Sequence, residues 1–164
     1  MICACPGRSL CARHEKVYVL DVENGWVRKK SGLKRGVRRY HKTETKLLEI
    51  LKEIFGQENV ISSVHPLWAL SDKGVLLEYD VCVMSKHLLV EYDGLQHFEF
   101  SNFFHKTRSE FESQKTRDRL KDRLAKQNGW KLLRIKYNED VTYGNIFKKL
   151  STMRLTCPKE KTEY

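Results

Sequence analysis

A chain of 164 residues, 40% hydrophobic and 32% charged, is long enough for one compact core with small appendages. Its 31 Lys and Arg against 21 Asp and Glu leave a formal charge of +10, which favours a polyanionic partner, nucleic acid first, over an acidic protein surface. No apolar run approaches the ~18 residues of a membrane span, residues 1 to 12 show no secretory pattern, and five cysteines do not pair off evenly, so the expectation is a soluble protein of the cytoplasm or nucleus without a disulfide scaffold.

The chain opens with Cys3, Cys5, Cys11 and His14, a C-x-C-x5-C-x2-H set offering the soft and borderline ligands that structural Zn²⁺ prefers. Reduced thiols near a terminus are the plain alternative. Residues 1 to 42 hold 11 basic side chains against only Glu15, Asp21 and Glu23, or +8 of the total. Within them, Trp26 to Lys42 carries eight basic residues and no acid, and Gly32 and Gly36 disfavour a helix. That stretch reads as a flexible basic arm. Arg28, Lys29, Lys30, Lys34, Arg35, Arg38 and Arg39 would meet phosphates, with Trp26 and Tyr40 available for stacking. A merely solvated charged segment is the alternative.

Helical spacing follows in Leu47, Leu48, Leu51, Ile54 and Phe55, with Thr43 as an N-cap and Gly56 as the stop. Val60 to Leu67 is β-prone, and Ser71 to Gly74 supplies turn chemistry. Two strands, Val75 to Met84 and His87 to Leu95, are separated by Ser85 and Lys86 alone, which is hairpin spacing. The second half of Asn102 to Asn128 reads as a helix ending at Gly129, Trp130 to Tyr137 as a strand, and Tyr143 to Leu150 as a last short helix before a polar tail.

The hairpin carries acids that a half-buried strand pair does not need: Glu78, Asp80, Glu91 and Asp93. A turn centred on Ser85 and Lys86 sets Asp80 opposite Glu91 and Glu78 opposite Asp93. All four then share a face with Cys82, Met84 and Leu89, while Leu77, Tyr79, Val81, Val83, Leu88, Val90 and Tyr92 look into a core. Opposed like charges destabilise a sheet unless a cation sits between them, and a Mg²⁺-type ion suits such oxygen ligands. A solvated sheet face neutralised by Lys or Arg explains the same acids without function. Glu44, in the first helical turn, is favoured there by the helix dipole alone, yet it adds a carboxylate. His97, four residues beyond Asp93, is a general acid or base in reach of the acids, or a satisfied structural histidine.

At these residues the sequence resembles the restriction-endonuclease-like, or PD-(D/E)XK, nuclease superfamily. The resemblance implies an α/β fold with a core of helix, three-stranded antiparallel meander, helix and strand, here with a basic N-terminal extension. It implies metal-binding acids at Glu44, Asp80 and Glu91-Tyr92-Asp93, where Asp93 replaces the family's lysine. The strings LLVEYDGLQHFEF (Leu88 to Phe100) and KTRDRLKDRLAKQNGWKLLRIKY (Lys115 to Tyr137) are closer to the very short patch repair endonucleases and the homing endonucleases with an E, D, H, D set. By that likeness His97 and Asp118 join the site. Asp118 also reads as an ordinary salt-bridged surface residue beside Gln114 and Lys121. Gln96, Lys115 and Lys121 are the residues able to replace the missing lysine.

The expectation is therefore three segments: residues 1–41, a basic arm with a small zinc-binding element; residues 42–150, the endonuclease-like domain; and residues 151–164, a polar tail. The expected function is Mg²⁺- or Mn²⁺-dependent DNA hydrolysis, with Asp80 and Glu91 holding the ion, Asp93 as a further ligand, and His97 or Glu44 acting on the attacking water. A catalytically inactive nucleic-acid-binding module of the same fold is the alternative. The charge argument admits RNA as well as DNA and leaves monomer and homodimer both open.

Overall fold

The computed structural model describes residues 18–21, 26–29, 42–101, 103–105 and 107–156. In chain order the elements are strands β1 (Tyr18–Asp21) and β2 (Trp26–Lys29), helix α1 (Lys42–Phe55), strands β3 (Val60–Pro66), β4 (Tyr79–Val83) and β5 (Leu88–Asp93), helix α2 (Arg108–Gln127), strand β6 (Lys131–Lys136) and helix α3 (Tyr143–Thr152). The strands lie side by side in that same order. β3, β4 and β5 form an antiparallel meander, and β6 joins β5 in parallel. A parallel neighbour needs a long crossover, and α2 supplies it.

Strands β3 to β6 are covered on both faces. On one, Val81, Val83, Leu88, Val90 and Ile135 pack against Leu47, Ile50 and Leu51 of α1 and Ile146 and Leu150 of α3. Leu51, Leu88 and Leu150 are fully covered, each contributing about 1.5–3 kcal/mol. On the other face, Val64, Tyr79, Cys82 and Leu89 meet Leu120, Leu124 and Ala125 from the C-terminal half of α2. Thr107 caps α2 by accepting the Glu110 N–H, and Gly129 takes the left-handed conformation (φ 75°) that turns the chain into β6.

Five sequence expectations change. The N-terminal segment is not one arm, because β2 pairs with β1 and also docks on β3 through Trp26↔Pro66 and Val27↔His65. The strand expected from Val75 is in a ladder only over Tyr79–Val83; Leu76 instead closes a small loop by bridging Leu70. Helix α2 is twenty residues long, since Thr107 caps it well before the expected second half. The folded region runs past 150, because Leu155 is buried in the first cluster. Finally, Leu77 and Tyr79 lie on the α2 side rather than with Val81. Ser63, opposite Asp80, adopts φ 55°, a left-handed conformation that breaks the alternation of β3 and turns Val64 and its partner Tyr79 to the other face.

Candidate functional site

The expected hairpin register holds: Val81↔Val90, Cys82↔Leu89 and Val83↔Leu88 are partners. The turn itself is a 3₁₀ turn, Met84–Lys86, closed by His87 in the left-handed conformation (φ 46°). Along β5, alternation sends Leu89, Glu91 and Asp93 towards α2. Glu91 is 3% exposed and Asp93 5%, so a solvated acid face does not describe them. Burying a carboxylate is costly unless it is paired. Lys121 Nζ donates to both Glu91 oxygens at 2.8 Å, and Arg134 donates to Asp93 Oδ1 at 2.6 Å.

Asp80 ends the β4–β5 ladder. Its Oδ2 accepts the Tyr92 backbone N–H at 2.9 Å, so a side-chain carboxylate stands where the partner strand's carbonyl would otherwise accept. Burial pushes the Glu91 carboxyl up to about 7; Lys121 opposes the rise and the charge of Asp80 adds to it. Glu78 departs from the expected set. It lies outside β4, accepts from Ser63 Oγ at 2.5 Å and stands 3.8 Å from His65 Nε2, not across from Asp93.

At the end of β5 the chain makes a 3₁₀ turn, Leu95–His97, that swings His97 back over the strand. His97 Nδ1 lies 2.8 Å from Asp118 Oδ2 on α2 and 3.8 Å from Asp93 Oδ1. A carboxylate on Nδ1 favours the tautomer with its proton there and leaves Nε2 as the acceptor nitrogen. Burial works to raise the Asp118 carboxyl, but the hydrogen bond and charge of His97, with Arg134 and Lys121, hold it below the ordinary value. Asp93 is raised, burial outweighing Arg134 and His97. Asp118 and Lys121 are thus turned inward, not on a salt-bridged surface.

Arg134 is the functional residue that sequence reasoning missed. Opposite Glu91 in the parallel ladder, it donates to Asp93, to Asp122 Oδ1 at 2.9 Å and to the Asp118 carbonyl at 3.3 Å, tying β5, β6 and α2 together. Burial would lower its pKa, but Asp93 and Asp122 raise it, so the guanidinium stays charged. The signal was present: an arginine on the same strand face as Leu132 in K-L-L-R-I-K asks for an acid on the neighbouring strand.

Of the three lysine substitutes, Lys121 alone makes a hydrogen bond to an acid of the site among the contacts described. Lys115 Nζ sits 4.3 Å over the Phe111 ring, and Gln96 folds back over Gly94, where a Cβ would collide with its amide. Glu44 occupies the first turn of α1, half-buried, on the helix that covers the opposite sheet face. Arg28 and Lys29 close β2, while Lys30, Lys34, Arg35, Arg38 and Arg39, and the zinc set Cys3, Cys5, Cys11 and His14, lie outside the described residues. Cys82 is a buried strand residue, its thiol pushed up to about 12 by burial. In the segment after His97, Phe98, Phe100, Phe103 and Phe104 are exposed, Phe103 by 88%. His105, buried and bonded to Gln114 at 2.8 Å, anchors that loop to α2. Among the described residues no three His, Cys, Asp or Glu side chains converge as a metal cage, and no helix is long and apolar enough to cross a membrane.

Fold and site define an α/β protein with a mixed sheet and a buried network of acids and cations between the sheet and α2. No protein-family model matches the chain. It is similar to the uncharacterized protein 307L of Invertebrate iridescent virus 6, 34% identical over 77 residues, 47% of this chain and 39% of that one. It is also similar to the uncharacterized protein 033L of Invertebrate iridescent virus 3, 39% identical over 61 residues, 37% of this chain and 31% of that one. The chain therefore matches well under half the length of these relatives.

Proposed function

We propose that the protein is a metal-dependent DNA endonuclease of the restriction-endonuclease-like kind, nearest to the very short patch repair and E-D-H-D homing branch. The observation that carries this reading is the pair of almost wholly buried carboxylates on β5, Glu91 and Asp93, with Asp80 acting on Glu91 and the His97–Asp118 pair at the strand's end. Acids kept in such surroundings concentrate at functional sites. The order of helix, antiparallel meander, helix and parallel strand supports it.

The donor chemistry fits Mg²⁺ or Mn²⁺. The donors are hard carboxylate oxygens on Asp80 and Glu91, and burial keeps the Glu91 carboxyl raised even with Lys121 bonded to it. An ion of this type takes one or two carboxylates and completes its shell with water and substrate phosphate, so Asp80 and Glu91 suffice as the protein's share. When bound, it supplies polarisation of the phosphate and an acidified water. Asp118 orients His97 so that Nε2 takes a proton from the attacking water. Lys121 brings a positive charge to Glu91 and is the residue proposed to stand in for the family's lysine, and Arg134 fixes Asp93. Residues 26 to 42 add salt-sensitive affinity for the backbone, and the exposed phenylalanines offer rings for stacking bases. A structural Zn²⁺ on Cys3, Cys5, Cys11 and His14 is proposed on their spacing alone, and a cytoplasmic or nuclear setting on the substrate.

One observation favours a catalytically inactive nucleic-acid-binding module instead: Glu91 and Asp93 are already paired with Lys121 and Arg134. Incubation with supercoiled plasmid, mismatched duplex and branched DNA, with and without Mg²⁺ or Mn²⁺, separates the two. The nuclease cuts at least one substrate only with the metal, and Asp80→Asn and Glu91→Gln lose cutting while keeping DNA binding. Native protein that binds DNA and cuts none of the three in either metal leaves the binding module.

A further inference from the structure

Only Phe111 and Ala125 are buried in the whole of α2. The C-terminal half packs Leu120, Leu124 and Ala125 on the sheet, but the N-terminal half presents Ser109, Ser113 and Thr116, small side chains that do not fill the space beneath them. A groove of about 770 Å³ opens there, between this helix face and the loop 71–78. The loop is held firmly: Ser71 Oγ accepts the Val75 N–H at 3.0 Å, its carbonyl accepts the Gly74 N–H at 2.8 Å, and Gly74 has φ 68°. Leu76, Leu77 and Leu120 provide an apolar floor, and the groove runs to Lys121, whose ammonium holds Glu91.

The lining is charged but balanced, with Lys73, Arg117 and Lys121 against Asp72, Glu78 and Glu112. A track for several phosphates would be basic throughout. Its size lies within the ~300–1,000 Å³ of small-ligand clefts, the scale of a nucleotide and not of a duplex. Carboxylates and hydroxyls around an apolar floor match a nucleobase, whose faces are apolar and whose exocyclic amine donates to an acid.

From these observations, and resting on the DNA reading above, we infer that the groove receives one unpaired nucleotide of the strand next to the acids. Its base lies over Leu76, Leu77 and Leu120, with its amine towards Glu112 or Glu78, and Lys73 or Arg117 meets its phosphate. The substrate is then DNA in which a base is already out of the stack, where the cost of unstacking is least. An amine-bearing base is preferred over thymine.

The test is fluorescence anisotropy of the full chain, in EDTA, with three short duplexes: fully paired, one bulged adenine, and one bulged thymine. The bulged adenine binds about tenfold tighter than the paired duplex, and thymine gains less. Ser113→Trp and Thr116→Trp, at exposed helix positions, each fill the groove and remove that preference while leaving affinity for the paired duplex unchanged. Equal affinity for all three duplexes, a thymine bulge bound as well as adenine, or a preference that survives both tryptophans overturns the inference. Cleavage enters nowhere in this assay. Cutting of paired DNA without any bulge preference sinks the groove and keeps the nuclease, whereas a groove-dependent preference with no cutting does the reverse.

Discussion

Replacing Lys121 by Met keeps the aliphatic stem and removes only the ammonium from a carboxylate that is 3% exposed. The effect must depend on pH in a definite direction. Folded Glu91 holds its proton up to about 7 against an ordinary value of 4.5, so stability is lost as pH rises through that window, about 3 kcal/mol in all. Above it the native protein's curve flattens. Without Lys121, burial and Asp80 push the carboxyl higher still, so the variant goes on losing about 1.4 kcal/mol per pH unit beyond neutrality. The loss stops near the roughly 3–5 kcal/mol that an unpaired buried charge costs.

Urea unfolding of both proteins between about pH 6 and pH 9 reads this directly. Near pH 6, where Glu91 is mostly protonated in each, the two differ by no more than about 1 kcal/mol, the worth of one hydrogen bond. Near pH 9 they differ by several. A gap that stays constant across the range refutes the assignment of the ion pair. In a Glu91→Gln background the pH dependence of the Lys121→Met effect disappears, which locates it in this pair and not in general charge.

Arg134→Met strands buried Asp93 and costs about 3–5 kcal/mol, seen as a fall of about 10 °C in the thermal melt; Arg134→Lys restores less than half, because an ammonium cannot span both Asp93 and Asp122. Asp118→Asn acts on the acid limb: a carboxyl held below 3.8 stabilises the fold above that value and loses its contribution as pH falls through its folded pKa, so the variant's stability, followed by urea midpoints between about pH 5 and pH 3, declines less than the native protein's. Ser63→Val puts a β-branched residue at φ 55° and deletes the bond to Glu78, costing about 2–3 kcal/mol in urea unfolding, whereas Ser63→Gly stays within about 1 because relief of backbone strain offsets the lost bond.

What the sequence revealed of the site follows from periodicity. A strand has two faces and a period of two, so once the short turn pins the register, the side of every residue in Leu88–Asp93 is known, and Glu91 and Asp93 are placed together without coordinates. The same rule fails at Ser63, since nothing in V-I-S-S-V-H announces a left-handed residue, and Leu77 and Tyr79 went to the wrong face with it. Helix α2 is harder because Lys, Arg, Asp and Glu occur all around it and no apolar stripe fixes its rotation. Its phase is legible only from two small clues. Phe111 and Ala125, the residues it buries, are fourteen apart, and Asp118 and Asp122 fall on the stripe between them at steps of seven and eleven from Phe111. Around the axis Lys121 lies about 80° from Phe111 and Lys115 about 40° on the other side, so the helical phase favours Lys115, and rotation alone does not pick out Lys121. Their six-residue separation, about 9 Å along the axis, does: the carboxylates of β5 lie at the level of Asp118 to Asp122, and Lys115, a turn and a half nearer the N-terminus, covers Phe111 instead. The cation that meets Glu91 is therefore set by the height at which α2 crosses β5, which depends on the lengths of the 98–107 loop and of the helix before Gly129, a tertiary quantity that no local pattern encodes.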